Sequence, residues 1–125
     1  MTNLELVMEY MDRIASGDFN GALEMVSDDA SFQGPQGEQM DKAAMKALFA
    51  SVAPLLVNPL EQEIVGTTCE GNRVAVEARA NTKLANGNTY SNLYHFLFKV
   101  EGGKIVAAHE YNNVLATQAF GEVPA

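Results

Sequence analysis

The chain has 125 residues, 47% of them hydrophobic and 8% aromatic, a length that makes one domain of residues 1–125 with one core. Acidic side chains number 16 against 8 basic ones, and the formal charge of −8 disfavours nucleic acid and anionic membranes as partners. No apolar stretch approaches the roughly 20 residues of a membrane span, and Asn3 and Glu5 interrupt any secretory core, so a cytoplasmic location is the default expectation.

Leu4, Val7, Met8, Met11 and Ile14 recur at helical spacing and predict a helix over residues 3–16, capped by Asn3 and stopped at Gly17, with Tyr10 close to the apolar stripe. Asp18 caps a second, short helix that turns Phe19, Ala22, Leu23 and Val26 inward and ends before Ser27. Residues 30–33 make a brief strand closed by Gly34-Pro35-Gln36-Gly37. A third helix follows from Asp41, carrying Ala44, Met45, Leu48, Phe49 and Val52, and Pro54 and Pro59 bound its far end. Strands are predicted at 60–70, 73–84, 89–100 and 104–112, with a short helix over 114–120. Helices first and a run of antiparallel strands afterwards make an α+β fold, with helices segregated on one face of a sheet. Cys69 has no second thiol for a disulfide and no neighbouring ligand set for zinc, and reads as a strand residue packed like a small hydrophobe.

Residues 73–113 carry the candidate chemistry. Asn86-Gly87 and Gly102-Gly103 are dipeptides suited to two-residue hairpin loops, so the last three strands form a meander. With Ala85 paired to Asn88, Glu77 falls opposite Phe96, Arg79 opposite Tyr94 and Asn81 opposite Asn92. With Glu101 paired to Lys104, His109 lies beside Phe96, Tyr111 beside Tyr94 and Asn113 beside Asn92. One face thus collects Glu77, Arg79, Asn81, Asn92, Tyr94, His109, Tyr111 and Asn113 among Phe96, Phe98 and Val100. It reads either as the wet side of an antiparallel sheet or as a pocket wall with convergent polar groups. A three-residue loop at Glu101-Gly102-Gly103 would slip the last strand by one and exchange His109 and Tyr111 for Glu110 and Asn112.

On the pocket reading, Glu77 and His109 are the acid/base candidates. Arg79, two residues along the strand from Glu77, is either a catalytic neighbour or the partner of a structural ion pair, the Cα atoms being about 6.5–7 Å apart. Asn81, Asn92, Tyr94, Phe96, Tyr111 and Asn113 would hold a small apolar molecule, with Phe49 of the third helix. No phosphate loop and no paired His or Cys spacing is present, so neither a cofactor nor a metal is expected. The opposite face, read as Val74, Val76, Ala78, Ala80, Leu93, His95 and Leu97, is too apolar to leave in water and points to a homodimer through the outer sheet face.

Gly17-Asp18 between the first helices, Asp28-Asp29-Ala30 before a short strand, and Phe98-Lys99-Val100-Glu101-Gly102-Gly103-Lys104-Ile105 leading to Glu110-Tyr111 resemble one superfamily over nearly the whole chain. It is the nuclear-transport-factor-2-like superfamily, in its branch of SnoaL-like polyketide cyclases, ketosteroid isomerases and limonene epoxide hydrolases. The resemblance implies a cone-shaped curved antiparallel sheet wrapped around the N-terminal helices, a cystatin-like α+β barrel. Of the ketosteroid isomerase groups, it places the base at Gly34, the oxyanion tyrosine at Tyr10 and the protonated acid at Phe96. It also adds Tyr10 and Phe32 to the residues that would hold the small molecule. The Asp-Arg-Asp set of the epoxide hydrolases maps to Glu77, Arg79 and Asn113, and the cyclase acid/base falls on Asn113, an amide that exchanges no proton at useful pH. None of those mechanisms transfers intact. Two classes stay open: an isomerase-, cyclase- or dehydratase-like enzyme working by proton transfer on an apolar cyclic or carbonyl-bearing substrate, or a ligand-binding or scaffold domain that kept the fold and lost the acids.

Overall fold

Thr2 starts the first helix, α1 (Asn3–Ala15), through a capping box in which its hydroxyl accepts from the Glu5 N–H and the Glu5 carboxylate accepts from its own N–H. The cap is therefore Thr2 rather than Asn3, whose side chain instead donates to the Gly71 carbonyl. The computed structural model describes residues 1–57 and 62–121; Pro59 and the predicted strand residues 60 and 61 lie outside them. Asp18 caps α2 (Phe19–Leu23) and Asp41 caps α3 (Lys42–Val52), each carboxylate accepting from the backbone N–H three residues on. Strand β1 runs over Val26–Gln33, longer than its sequence pattern predicts, and pairs with a two-residue β2 (Gln39–Met40) absent from the sequence reading.

The remaining strands are β3 (Gln62–Glu70), β4 (Arg73–Lys83), β5 (Thr89–Glu101) and β6 (Lys104–Asn112), followed by a 3-10 helix at Val114–Phe120. They form a six-stranded sheet in the order β2-β1-β6-β5-β4-β3, antiparallel except where β1 runs parallel to β6. The two ends of that order do not meet, so the curved sheet stays open. Its inner face packs on α1: Leu6, Val7, Tyr10 and Met11 share one core with Val74, Val76, Phe98, Val100 and Ile105. No helix among the described residues is long and apolar enough to cross a membrane.

Two local features decide which side chains face inward. The β4–β5 loop has three residues, Ala85–Gly87, closed by Leu84 and Asn88, with Gly87 at a φ of +90°. The positive φ supplies the last position of a three-residue hairpin, which the Asn-Gly dipeptide serves as well as a two-residue one. Pairing therefore slips by one, setting Glu77 against His95, Arg79 against Leu93 and Asn81 against Ser91. The β5–β6 loop keeps the expected Glu101–Lys104 pair, but a bulge at Val106 shifts the register so that Phe98 faces Ala108, Phe96 faces Glu110 and Tyr94 faces Asn112. In consequence Val74, Val76, Ala78 and Ala80 are core residues, which corrects their assignment to the outer face. Leu93, His95 and Leu97 do lie outside, alternating with the buried Asn92, Phe98 and Val100 along β5. Cys69 is in β3 as expected but exposed, not packed.

Candidate active site

The inner face of the sheet and the helices enclose a cavity of about 440 Å³. Tyr10, Met11 and Ile14 of α1 form one wall, Met45, Phe49 and Val52 of α3 a second, and Tyr90, Tyr94, Phe96, Glu110 and Asn112 of β5 and β6 the floor, with Phe120 and Glu38 at its margins. Alternation along β5 puts Tyr90, Asn92, Tyr94 and Phe96 on one side, and the bulge in β6 brings Glu110 and Asn112 to the same side. Tyr94 stacks on Phe96 with ring centroids 5.1 Å apart, and Phe19 stacks on Phe49 at 4.8 Å. These contacts fix the rings as walls.

The polar groups form a connected set. The hydroxyls of Tyr90 and Tyr94 hydrogen-bond each other, and Asn92 Nδ2 donates to the Tyr90 hydroxyl at 2.7 Å. Asn92 is itself held by the N–H groups of Leu93 and Asn113, which donate to its Oδ1 at 2.8 and 3.0 Å. On β6 the Asn112 amide donates to Glu110 Oε2, while Asn112 Oδ1 is buried with no partner. Burial lifts the Glu110 pKa above the usual carboxylate value, opposed by the Asn112 hydrogen bond and reinforced by the nearby Glu38 charge. Burial also raises Tyr10, Tyr90 and Tyr94, with the Glu110 charge adding to each, so these phenols stay protonated donors.

Of the sequence-predicted site residues, Tyr10, Phe49, Tyr94 and Phe96 line this cavity, and Asn92 stands directly behind it. Phe32 packs in the core at 4% exposed and is not a lining residue. Glu77, Arg79 and Asn81 are exposed on the outer face, because the three-residue loop slips β4 by one. Glu77 and Arg79 share a shallow outer hollow with Leu93, His95 and Tyr111, but no ion pair joins them. His109 and Tyr111 likewise point outward, turned by the bulge at Val106. Asn113 is exposed, and its side chain caps the final 3-10 helix. The sequence reading thus missed Tyr90, which the alternation of β5 would have supplied, and held Glu110 and Asn112 only in its slipped alternative. Among the described residues no group of three or more His, Cys, Asp or Glu side chains is arranged to hold a metal.

No functionally curated protein matches the chain. Solved structures do. A candidate SnoaL-like polyketide cyclase of Jannaschia sp. CCS1 superimposes with a TM-score of 0.81 at 18% identity, over 98% of this chain and 93% of that one. A hypothetical protein of Catenulispora acidiphila DSM 44928 with a ketosteroid isomerase-like fold, solved with trimethylamine, gives 0.78 at 16% identity, over 96% and 94%. An epoxide hydrolase of M. tuberculosis, of the limonene epoxide hydrolase-like type, gives 0.78 at 14% identity, over 94% and 87%. At these identities the likeness establishes the cone-shaped fold alone. The model of the SnoaL-like domain family matches residues 7–108, and the chain belongs to that family.

Proposed function

We propose that the chain is a proton-transfer enzyme acting on a small, largely apolar, cyclic, carbonyl-bearing molecule, with Glu110 as the acid/base and Tyr94, Tyr90 and Tyr10 holding the substrate oxygen. The observation that carries this reading is the Glu110 carboxyl, buried on the floor of an aromatic cavity that also contains three phenolic hydroxyls. Ionised Glu110 would take the proton from the carbon next to the carbonyl. The electron pair of that C–H bond then moves onto the oxygen, where a phenol donates to the developing enolate, and Glu110 returns the proton to another carbon of the same molecule. A carboxyl raised by burial is suited to both halves of this exchange near neutral pH. Family neighbours include a candidate cyclase and an epoxide hydrolase, reactions that also need a positioned acid or base.

The test is turnover across a panel of steroids, epoxides and polyketide-like aromatics. On any substrate converted by wild type, Glu110→Gln is expected to lose about 10²–10⁴-fold in rate, while Glu77→Gln and His109→Gln, both outside the cavity, retain activity. Undiminished activity in Glu110→Gln would remove the proposed base. Binding of panel members with no turnover favours the second reading, a ligand-binding domain, for which non-carboxylate residues at Gly34, Phe96 and Asn113 speak. We infer in addition that a second copy of the chain covers the outer sheet face, where Leu93 is 65%, Tyr111 46% and Val65 43% exposed.

A further inference from the structure

The cavity has an electrostatic composition that the proton-transfer reading does not use. No Lys, Arg or His side chain is among its lining residues, whereas two carboxylates, Glu38 and Glu110, are. Phe19, Phe49, Tyr90, Tyr94, Phe96 and Phe120 line the same cavity. Among the described residues Asn112 Oδ1 is a buried acceptor without a donor, and the Asn112 amide donates to Glu110 Oε2, leaving Oε1 without a protein donor there. A neutral carbonyl compound brings only acceptors to such a site and leaves Asn112 Oδ1 unpaired, which is costly for a buried polar atom. A protonated amine brings N–H donors, a positive charge for the two carboxylates, and the charge type that aromatic walls attract. The formal charge of −8 on the whole chain favours the same sign of ligand.

We infer that the substrate of this cavity carries a protonated amine beside its apolar ring, with the ammonium seated between Glu38, Glu110 and Asn112 Oδ1. The inference rests on the cavity being the substrate site and extends that reading by naming a substrate class. The ammonium would also favour ionised Glu110, the form that acts as base. The titratable groups facing Glu110 are Glu38 from the β1–β2 turn, Tyr10 from α1, and Tyr90 and Tyr94 from β5.

The experiment compares three probes by calorimetry or ligand-observed NMR at mildly alkaline pH: benzylammonium, its neutral counterpart benzyl alcohol, and benzyltrimethylammonium, which has the charge without N–H donors. Benzylammonium is expected to bind about tenfold more tightly than the alcohol, with benzyltrimethylammonium between them. Glu110→Gln and the exposed Glu38→Gln, whose amide oxygen can still accept from the Gln36 N–H that Glu38 Oε1 holds at 2.9 Å, should each reduce the preference for charge. The inference is overturned if benzyl alcohol binds as well as benzylammonium, if benzylammonium does not bind, or if both variants keep the full preference. Conversion of neutral carbonyl substrates by wild type and its loss in Glu110→Gln would leave the proton-transfer reading standing in each of those cases, so the two fail separately.

Discussion

Glu110 is a carboxyl held in a position unfavourable to its charge. Burial raises its pKa from the ordinary 4.5, so the folded chain holds this proton more tightly than the unfolded chain does. Between the unfolded and the folded pKa the native state binds more protons, and the unfolding free energy therefore falls as pH rises through that window. The contribution of this group is complete below the ordinary carboxylate value and gone above the raised one. Glu110→Gln, which cannot ionise, should melt at a higher temperature than wild type at mildly alkaline pH, with the gap narrowing on acidification; thermal denaturation at several pH values measures it. The proposed role of Glu110 carries its own pH dependence, since a base must be ionised. The kcat/KM of wild type should rise with pH through the raised pKa of Glu110, and the residual rate of Glu110→Gln should lack that limb. Tyr94→Phe should keep the limb and lose about tenfold or more in kcat, because it removes a donor to the developing oxyanion and leaves the base in place. Opposite consequences for stability and activity at one side chain are expected where a charge is buried for chemistry rather than for folding.

At the scale of elements, the β6 bulge determines which chemistry reaches the cavity. Ile105 is inward on the near side of Val106, and Ala108, Glu110 and Asn112 are inward beyond it. Deleting Val106 would remove the extra residue and leave every pair beyond it unchanged, so Ala108, Glu110 and Asn112 would stay inward on a strand of uninterrupted alternation. The expected result is turnover retained, with destabilisation in the ordinary range of about 0.5–3 kcal/mol from the altered local twist, read by denaturant unfolding. A milder change, Asp41→Ala, should cost about 1 kcal/mol by removing the carboxylate that caps α3, with the cavity chemistry intact. These elements differ in how far the sequence revealed them. The helices were legible because apolar periodicity and side-chain caps are local signals, and the four long strands because their alternation is strong. Face assignment was not, because it depends on loop length and bulges. Asn86-Gly87 suits loops of two or three residues, and nothing in Ile105-Val106-Ala107-Ala108 marks the extra residue. Along β4 the plain reading of the alternation is the observed one: Val74, Val76, Ala78 and Ala80 go inside, and Glu77, Arg79 and Asn81 stay in water. The assumed two-residue loop, and then the family resemblance, drew attention to Glu77 and Arg79, although the strand's own pattern already placed them outside.

For the whole molecule, the two sides of one sheet have separate duties. The inner face is committed to the core and the cavity, while the outer face combines the exposed Leu93, Tyr111 and Val65 with Glu77, Arg79, His95 and His109. An apolar centre with a charged margin is the composition of a surface that binds protein rather than water. A twofold axis through such a patch sets it against itself, so a second copy meets complementary surface without any further design. A stable association of this kind needs about 800 Å² from each partner, and the face of the sheet is broader than its free edges at β2 and β3, which are single strands. Leu93 is central because it pairs with Arg79 across β4 and is the most exposed large apolar side chain of the sheet. Leu93→Glu introduces a charge there and, under the twofold, sets it close to its own copy. Sedimentation equilibrium should show a dimer for wild type and, for Leu93→Glu, a dissociation constant weakened roughly thirtyfold or more, corresponding to about 2 kcal/mol at an interface centre. The substitution leaves the inner face untouched, so cavity binding should persist in the monomer. A wild type that remains monomeric at high concentration would refute the second copy as the cover of this face, and would leave the exposed apolar patch to a different protein.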